Sequence, residues 1–374
     1  MLAAVAGLLA AATVVGIVTL WPSGAERPNL RGLGFVSEVY DAEVVAAEGV
    51  PCQGQPEQGV RCRRVAFELL EGPDQGRSIA QELVATPTTP DLSPGDRVTL
   101  AYDPTAPEEF RYRFVDRDRG PLLFWLAMAF SVAVVLLGRL RGLAALAGLA
   151  ASLVVLIQFV LPAILEGRDP LAVALVGSSA IAFLALYVAH GLTTMTTVAL
   201  LGTLTSLALT AVLAQVFVGL AELTGFASEE AIVVQIGAAR VDLAGIILGG
   251  VVIGALGAID DMTVTQASAV WELRAADPVM GRGALTRAGM RIGRDHVAST
   301  VNTLALAYAG ASMPVLLLLV LSRQSLATVA SGEVIATEIV RTLVGSIGLV
   351  AAVPVTTWLA AMASPPLPYG PASD

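Results

Sequence analysis

Two adjacent acids, Asp260 and Asp261, follow a glycine-rich apolar run from Leu243 to Ile259 that contains no charged residue. An ionisable side chain at membrane depth is costly, and it usually marks an ion or substrate pathway. Desolvation favours a protonated carboxyl group, whereas a nearby cation favours the carboxylate. The pair could therefore carry a proton or coordinate a metal cation, and both suit coupled transport. The alternative is that the pair lies at the cytoplasmic interface and ends the span in ordinary solvent.

The spacing of small and polar residues predicts a functional face on this segment. If Leu243 to Leu273 is one helix, a narrow stripe at about 100° per residue joins small residues to polar ones. The glycines predict close packing against another helix, and the polar residues predict a cavity. The stripe consists of Gly250, Gly254, Gly257, Asp261, Thr265, Ser268 and Glu272. Asp260 lies about 100° away from it, so Asp261 is the acid predicted to share the cavity.

Further polar side chains could supply partners to the acidic pair. Thr265 and Gln266 follow it in the same predicted helix, and Asp295 and Asn302 lie near the start of the next span. A buried asparagine can also simply hold helices together. The candidate ion or substrate site therefore contains Asp260, Asp261, Thr265, Gln266, Asp295 and Asn302.

Other polar patterns predict structure rather than chemistry. Glu338 and Arg341 are three residues apart in the last span, which predicts a local ion pair. The threonine-rich run from Thr193 to Thr210 predicts hydrogen bonds between helices. His190 and His296 are the only histidines, and two imidazoles do not supply the three protein ligands that a catalytic zinc site typically needs. Either histidine could still relay a proton near neutral pH.

No familiar catalytic motif accompanies these residues. The sequence contains no P-loop, no Gly-x-Ser-x-Gly and no His-Glu-x-x-His, which argues against an ATPase, a serine hydrolase and a zinc protease of the usual kinds. We expect neither catalytic residues nor a cofactor. Whether the chain binds a metal stays open.

The composition predicts that lipid surrounds most of the chain. Of 374 residues, 55% are hydrophobic and only 14% are charged, and the mean hydropathy is +0.75. A soluble domain needs much more polar surface. The net charge of -9 arises largely in one polar block near the N-terminus, so nothing supports a nucleic-acid partner.

Apolar stretches of roughly 20 residues predict about eight transmembrane helices. The first, Leu2 to Leu20, lacks a basic segment and a small-residue cleavage site, so we expect an uncleaved anchor. The others are Pro121–Leu137, Leu143–Leu165, Leu171–Ala189, Thr197–Leu220, Leu243–Ile259 or beyond, Val297–Leu321 and Ile339–Met362.

The placement of arginines predicts the orientation, because short cytoplasmic loops retain positive charge. One arginine-bearing loop holds residues 139 and 141, and another holds residues 274 to 294. With eight spans both loops lie on one side, so we expect both termini in the cytoplasm. The predicted domains are an anchor (1–21), an extracytoplasmic domain (22–120), a seven-helix membrane domain (121–363) and a cytoplasmic Pro-rich tail (364–374).

The outer block predicts a small β-rich domain, a barrel or a sandwich, inserted between the first two helices. Cys52 and Cys62 flank a loop rich in Gly, Gln and Pro, which favours a disulfide over a metal site. The domain could cap the helices or bind a partner. Segments with strand-like residues alternate with Gly, Pro and Asp turns: Phe35–Val45, Val65–Leu70, Val98–Tyr102 and Phe110–Val115.

Three segments resemble the YibE/F-like bacterial membrane proteins: Gly254–Leu273 around the acidic pair, Gly293–Ser312 and Glu338–Gly348. The resemblance covers roughly Pro121 to the end. It implies a multi-span, permease-type protein of the bacterial cytoplasmic (inner) membrane, often with an outer N-terminal domain, and it names no activity. In other members the first acid of the pair can be replaced while the second remains, so the resemblance favours Asp261.

The sequence thus predicts an α-helical polytopic membrane protein that is not an enzyme. We expect a secondary transporter or ion-coupled permease with Asp261 as the cation- or proton-binding carboxylate, and a continuous polar cavity that reaches it. The alternative is a membrane scaffold or accessory subunit that recruits a partner through its extracytoplasmic domain. The expected partners are the bilayer and an inorganic ion or small solute, while a homo-oligomer or a membrane partner protein stays open.

Overall fold

The computed structural model describes residues 1–24, 38–52, 61–86, 89–227, 229–238, 240–321 and 325–364. The chain forms two compact units. One is Asn29–Ala133, and the larger one combines Met1–Pro28 with Val134–Asp374. The start of the predicted strand Phe35–Val45 and residues 365–374 of the predicted tail lie outside the described residues.

The smaller unit contains a five-stranded antiparallel sheet in the order β3-β2-β1-β4-β5, curved into a half-barrel. Alternate side chains of the central strands, such as Val44, Phe67 and Leu100, form its buried face, as the two-residue period of a strand requires. The strands are β1 (Glu38–Pro51), β2 (Arg61–Leu69), β3 (Ser78–Val84), β4 (Arg97–Tyr102) and β5 (Tyr112–Arg117). Sequence reasoning missed β3, an edge strand without a fully buried residue.

The predicted disulfide is present in this sheet unit. Cys52 and Cys62 are joined, with their Cα atoms 5.0 Å apart. The bond lies where β1 meets β2, next to the paired residues Val50 and Cys62. Because both sulfurs are oxidised, they are not available as thiolate ligands for a metal.

The rest of the chain is helical, and α2 passes from the smaller unit into the larger one. A π-helical segment, Leu156–Val160, links α2 to α3. The helices are α1 (Leu2–Leu20), α2 (Gly120–Val155), α3 (Leu161–Leu165), α4 (Pro170–His190), α5 (Thr194–Leu220), α6 (Glu229–Gly237), α7 (Leu243–Ala276), α8 (Arg282–Ala311), α9 (Met313–Leu321), α10 (Leu326–Ser331) and α11 (Glu333–Ala363).

Six helical runs within the described residues are long and apolar enough to cross a membrane, so the chain is a multi-pass membrane protein. They are Leu2–Leu20, Gly120–Leu165, Pro170–His190, Thr194–Leu220, Leu243–Ala276 and Glu333–Ala363. The expected number of about eight is not confirmed.

One difference in the count arises because the run Gly120–Leu165 is counted once, although it contains two predicted spans and is interrupted at the loop predicted between them. Within α2 the backbone leaves the helical conformation at Arg139, whose φ is 54°. Gly142 lies so close to Val134 that a side chain on Gly142 would overlap the carbonyl oxygen of Val134. Residues eight apart in a straight helix are about 12 Å from one another, so the chain reverses its direction near Arg139.

The other difference concerns the predicted span Val297–Leu321. The structure divides it at Ser312 between α8 and the short α9. The first half of α8 carries four arginines from Arg282 to Arg294, which lowers its hydropathy. That span is therefore not among the six apolar runs.

Helices α5, α7 and α11 form the centre of the larger unit, and α4 and α8 pack around them. Glycines permit this close approach. Gly202 of α5 faces Thr356 of α11, and Gly348 of α11 faces Thr210 of α5; a methyl group at either glycine would overlap that threonine. Side chains of the three central helices can therefore hydrogen-bond to one another.

Two carboxylates fasten the ends of helices in this unit. Glu166, just after α3, accepts hydrogen bonds from the backbone and hydroxyl of Ser23 and from the backbone N–H of Gly24. The bonds from Ser23 hold the pKa of Glu166 below its usual range. Glu333, at the start of α11, accepts in the same way from the backbone and hydroxyl of Thr224. Helix ends distant in sequence are thereby joined.

Candidate ion-binding site

Asp260 lies near the middle of the 34-residue helix α7 and faces the centre of the helical unit. Its carboxyl group lies close to the hydroxyl of Thr203 on α5. Its Oδ1 atom is shielded from solvent and has no hydrogen-bond partner among the described residues. A buried polar atom of this kind calls for an explanation, such as a bound water, ion or proton.

Threonine hydroxyls surround this carboxylate on the α5 side. The Thr203 and Thr263 hydroxyls are 2.7 Å apart and hydrogen-bonded. One of the two hydroxyls donates its single proton to the other. The second can donate to a carbonyl oxygen of its own helix, that of Asp260, 3.0 Å from the Thr263 hydroxyl, or that of Ala199, 3.1 Å from the Thr203 hydroxyl. Both threonines are fully buried. They therefore hold the Asp260 region of α7 against α5.

Gln266 extends the polar contacts from α7 to two further helices. Its fully buried amide donates to the carbonyl oxygen of Gly289 on α8 at 2.9 Å and to the hydroxyl of Thr357 on α11 at 2.6 Å. The Thr357 hydroxyl in turn donates to the Val353 carbonyl. Gln266, predicted from sequence as a site residue, thus connects three helices.

Nine polar side chains of the three central helices, away from the ends of these helices, make up what we call the polar seam. All of them are buried except Asp260, which is partly exposed: Thr203, Ser206, Thr210, Asp260, Thr263, Gln266, Ser346, Thr356 and Thr357. Five of its oxygen atoms are buried without a partner in the described part of the chain: Ser206 Oγ, Asp260 Oδ1, Gln266 Oε1, Ser346 Oγ and Thr356 Oγ1. Oxygen atoms of this kind suit ordered water or a hard cation. The carboxylate can also hold a proton.

Asp261 is exposed, on a face of α7 about 100° around the helix from Asp260. Its backbone carbonyl accepts a hydrogen bond from Thr265 at 2.7 Å, and Thr265 is partly exposed. No salt bridge to Asp261 occurs among the described residues. The acid that sequence periodicity places in a cavity is therefore on the outer surface of this unit, whereas Asp260 enters the polar seam.

Of the three glycines in the predicted stripe, Gly250 and Gly254 pack against other helices and Gly257 does not. A Cβ atom on Gly250 would lie 3.7 Å from Nη2 of Arg341, and one on Gly254 would lie 2.9 Å from the hydroxyl oxygen of Tyr308. Around Gly257 there is nothing within 4 Å. The first two glycines thus accommodate large polar side chains of α11 and α8.

The remaining predicted site residues are not brought to Asp260. Asp295 and Asn302 are exposed on α8. Glu338 and Arg341 form the predicted ion pair, with Nη1 of the arginine 2.8 Å from Oε1 of the glutamate. Of the six predicted ion-site residues, only Asp260 and Gln266 belong to the polar seam.

Sequence reasoning missed the α5 and α11 members of the seam as site residues. The threonine-rich run, expected to make interhelical hydrogen bonds, contains Thr203 and Thr210, and Thr203 makes one to α7. No sequence pattern marked Ser346 and Thr356 as site residues, because each is an isolated polar residue in an apolar helix. Pairing side chains from different helices requires the three-dimensional packing.

Comparison with known proteins places this helical unit in a family. The model of the YibE/F-like protein family matches residues 126–365, which include the whole polar seam. No curated protein and no solved structure matches the chain. Since the match covers well over half of the 374 residues, the chain belongs to the YibE/F-like protein family.

Proposed function

We propose that this protein is a secondary transporter or ion-coupled permease whose coupling cation binds at Asp260. The observation that carries the proposal is the buried, unpartnered Oδ1 atom of Asp260 in the polar seam. A carboxylate at this depth is retained at a cost in stability, so a role in binding accounts for it better than packing does. The hydroxyl of Thr203 lies beside the carboxylate.

The geometry favours Asp260 over Asp261 as the acid that binds the coupling ion. Asp261 faces outward from the unit, whereas Asp260 faces hydroxyl groups of α5. A cation at Asp260 would find oxygen ligands on Thr203 and Thr263, which suits H⁺ or a hard ion such as Na⁺ rather than a soft metal. Asp261 then adds negative charge close to the site without binding the ion directly.

Cation-dependent thermal stability tests this proposal. A ligand that binds only the folded protein raises stability by about 2.7 kcal/mol at 100 times its dissociation constant. Detergent-purified wild type, Asp260→Asn and Asp261→Asn would be melted across pH and with Na⁺, K⁺, Mg²⁺, Ca²⁺ and Mn²⁺. We expect one pH- or ion-specific shift, present in wild type and Asp261→Asn and absent in Asp260→Asn.

Two results would contradict this assignment. A stability shift that is present in Asp260→Asn and absent in Asp261→Asn would mean that the ion binds at Asp261, the acid favoured by the sequence. Identical profiles for all three proteins, with no ion-specific shift, would remove the case for ion coupling.

A second candidate function, a membrane scaffold or accessory subunit, is favoured by the outward polar side chains. Asp261 on α7 and Asn302 on α8 are exposed within membrane-length helical segments, and polar groups at that depth need a partner or water. A scaffold would cover them with another protein. Copurification of a stoichiometric membrane protein that Asp261→Leu or Asn302→Leu releases would support this alternative.

A further inference from the structure

A separate cavity has an ion pair in its wall. It has a volume of about 350 Å³, is partly open, and lies between α6, the first turns of α7 and the start of α11. Its volume is within the roughly 300–1,000 Å³ typical of small-molecule sites. Most of its wall is apolar, formed by Ala231, Val234, Leu243, Ile246, Ile247 and Val334.

Among the described residues, the polar part of the wall comes from α11. Thr337, Glu338 and Arg341 line the cavity there. The Glu338 and Arg341 side chains, 27% and 28% exposed, form the ion pair described above. Both charges are therefore partly shielded from water and yet within reach of a bound molecule.

The ion pair leaves binding capacity on both partners. A guanidinium group has five N–H donors and a carboxylate has about four acceptor positions, whereas the pair is held by the single bond from Nη1 to Oε1. The buried Nε atom of Arg341 has no acceptor among the described residues. Gly250, which has no side chain, leaves Nη2 uncrowded on the α7 side.

The charge balance of the wall selects the class of ligand. A simple anion would compete with Glu338 for the arginine and leave the glutamate shielded and uncompensated, which is costly. A simple cation would compete with Arg341 for the glutamate and leave the arginine shielded and uncompensated. A molecule that carries one carboxylate and one ammonium group offers each side chain an opposite charge, and its apolar part can occupy the aliphatic wall.

We propose that this cavity binds an apolar zwitterion of the α-amino-acid type, with its carboxylate on Arg341, its ammonium on Glu338 and its side chain against Ile246 and Ile247. The cavity is about 20 Å along α7 from Asp260, at 1.5 Å per residue. The ligand and the coupling ion thus occupy different sites. The inference names the substrate class of the proposed transporter, and for that role it rests on the proposed function.

Leucine and two analogues test this site directly. The analogues are 4-methylpentanoate, which lacks the ammonium group, and 3-methylbutylamine, which lacks the carboxylate. Binding to purified full-length protein in nanodiscs would be measured by calorimetric titration and by the shift in melting temperature. We expect leucine to bind at least ten times more tightly than either analogue, because each analogue leaves one charge of the ion pair without its partner.

Variants separate this site from general effects on folding. Arg341→Gln should abolish leucine binding, and Ala231→Phe should do so by filling the cavity without altering the ion pair. Ile232→Phe is the matched control, since Ile232 is exposed on the same helix and does not line the cavity. It should bind leucine as wild type does. Equal binding of leucine and 4-methylpentanoate, no binding of leucine to wild type, or leucine binding that survives Ala231→Phe would overturn the proposal.

The same preparations distinguish failure of this inference from failure of the transport proposal. Leucine binding to wild type without any ion-specific stabilisation would uphold the zwitterion site and count against ion coupling. Ion-specific stabilisation that depends on Asp260, with no leucine binding, would uphold the ion site and count against the zwitterion.

Discussion

The close packing of the central helices predicts opposite responses to the same substitution at two glycines. In Gly202→Ala the new methyl group would overlap Oγ1 of Thr356 and lie 3.3 Å from Cγ2 of Thr263. In Gly257→Ala it would meet nothing within 4 Å. Both changes replace a glycine inside a long helix, so the gain in helix propensity, about 1 kcal/mol, is the same and cancels in the comparison.

The difference between the two variants therefore isolates the packing cost. Forcing an extra methyl group into a well-packed core costs typically about 1–3 kcal/mol, and threonine is stiff at χ1, so Thr356 cannot easily turn aside. We expect Gly202→Ala to be less stable than Gly257→Ala by about 2 kcal/mol, with Gly257→Ala at or slightly above wild type.

Reversible unfolding in mixed micelles, with sodium dodecyl sulfate as denaturant and circular dichroism as the signal, measures both free energies of unfolding. Equal stability of the two alanine variants would refute the proposed contact between α5 and α11. If Gly257→Ala is instead the less stable one, the outward face of α7 is covered by another molecule, as the scaffold hypothesis requires.

Three further predictions concern the seam, a helix anchor and the sheet unit. Gln266→Leu loses the amide bonds to Gly289 and Thr357 and should lower the free energy of unfolding by about 1 kcal/mol, at about 0.6 per membrane hydrogen bond, in the same micelle assay. The pKa of Glu166 is depressed by its bonds from Ser23, so its stabilisation is present above its unfolded pKa and lost as the pH falls through the folded value. The protection of the Ser23 amide from hydrogen exchange, measured relative to the intrinsic exchange rate at the same pH, should fall on acidification in wild type and be low at all pH values in Glu166→Gln. Reduction of the disulfide, or Cys62→Ser, should destabilise the sheet unit by about 2–3 kcal/mol, seen as faster proteolysis within the unit, whereas unchanged proteolysis would mean that the bond does not constrain the sheet.

The apolar helices, most strands and the disulfide could be predicted because their signals are local. The run from Leu243 to Ile259 lies within α7, and the alternation in Val98–Tyr102 lies within β4. The reversal at Arg139 also lies in a predicted loop, the one between the spans Pro121–Leu137 and Leu143–Leu165. The edge strand β3 could not be predicted in this way, because a half-exposed edge strand has weak alternation.

The candidate site could be predicted only in part, because helix periodicity does not say which face turns inward. α7 has two polar stripes: the predicted one through Asp261, and another formed by Asp260, Thr263 and Gln266 at spacings of three. The second faces α5 and α11, where hydroxyl groups such as that of Thr203 meet it. Those hydroxyls are distant in sequence, so only the packing of the three helices distinguishes the two stripes.

The most direct test of ion binding at Asp260 is charge displacement on a solid-supported membrane, which requires no knowledge of the transported solute. Proteoliposomes of wild type, Asp260→Asn and Asp261→Asn would be exposed to a jump in pH or in the cation that stabilises the protein. We predict a transient current in wild type and Asp261→Asn that is absent in Asp260→Asn. A full current in Asp260→Asn would contradict the account.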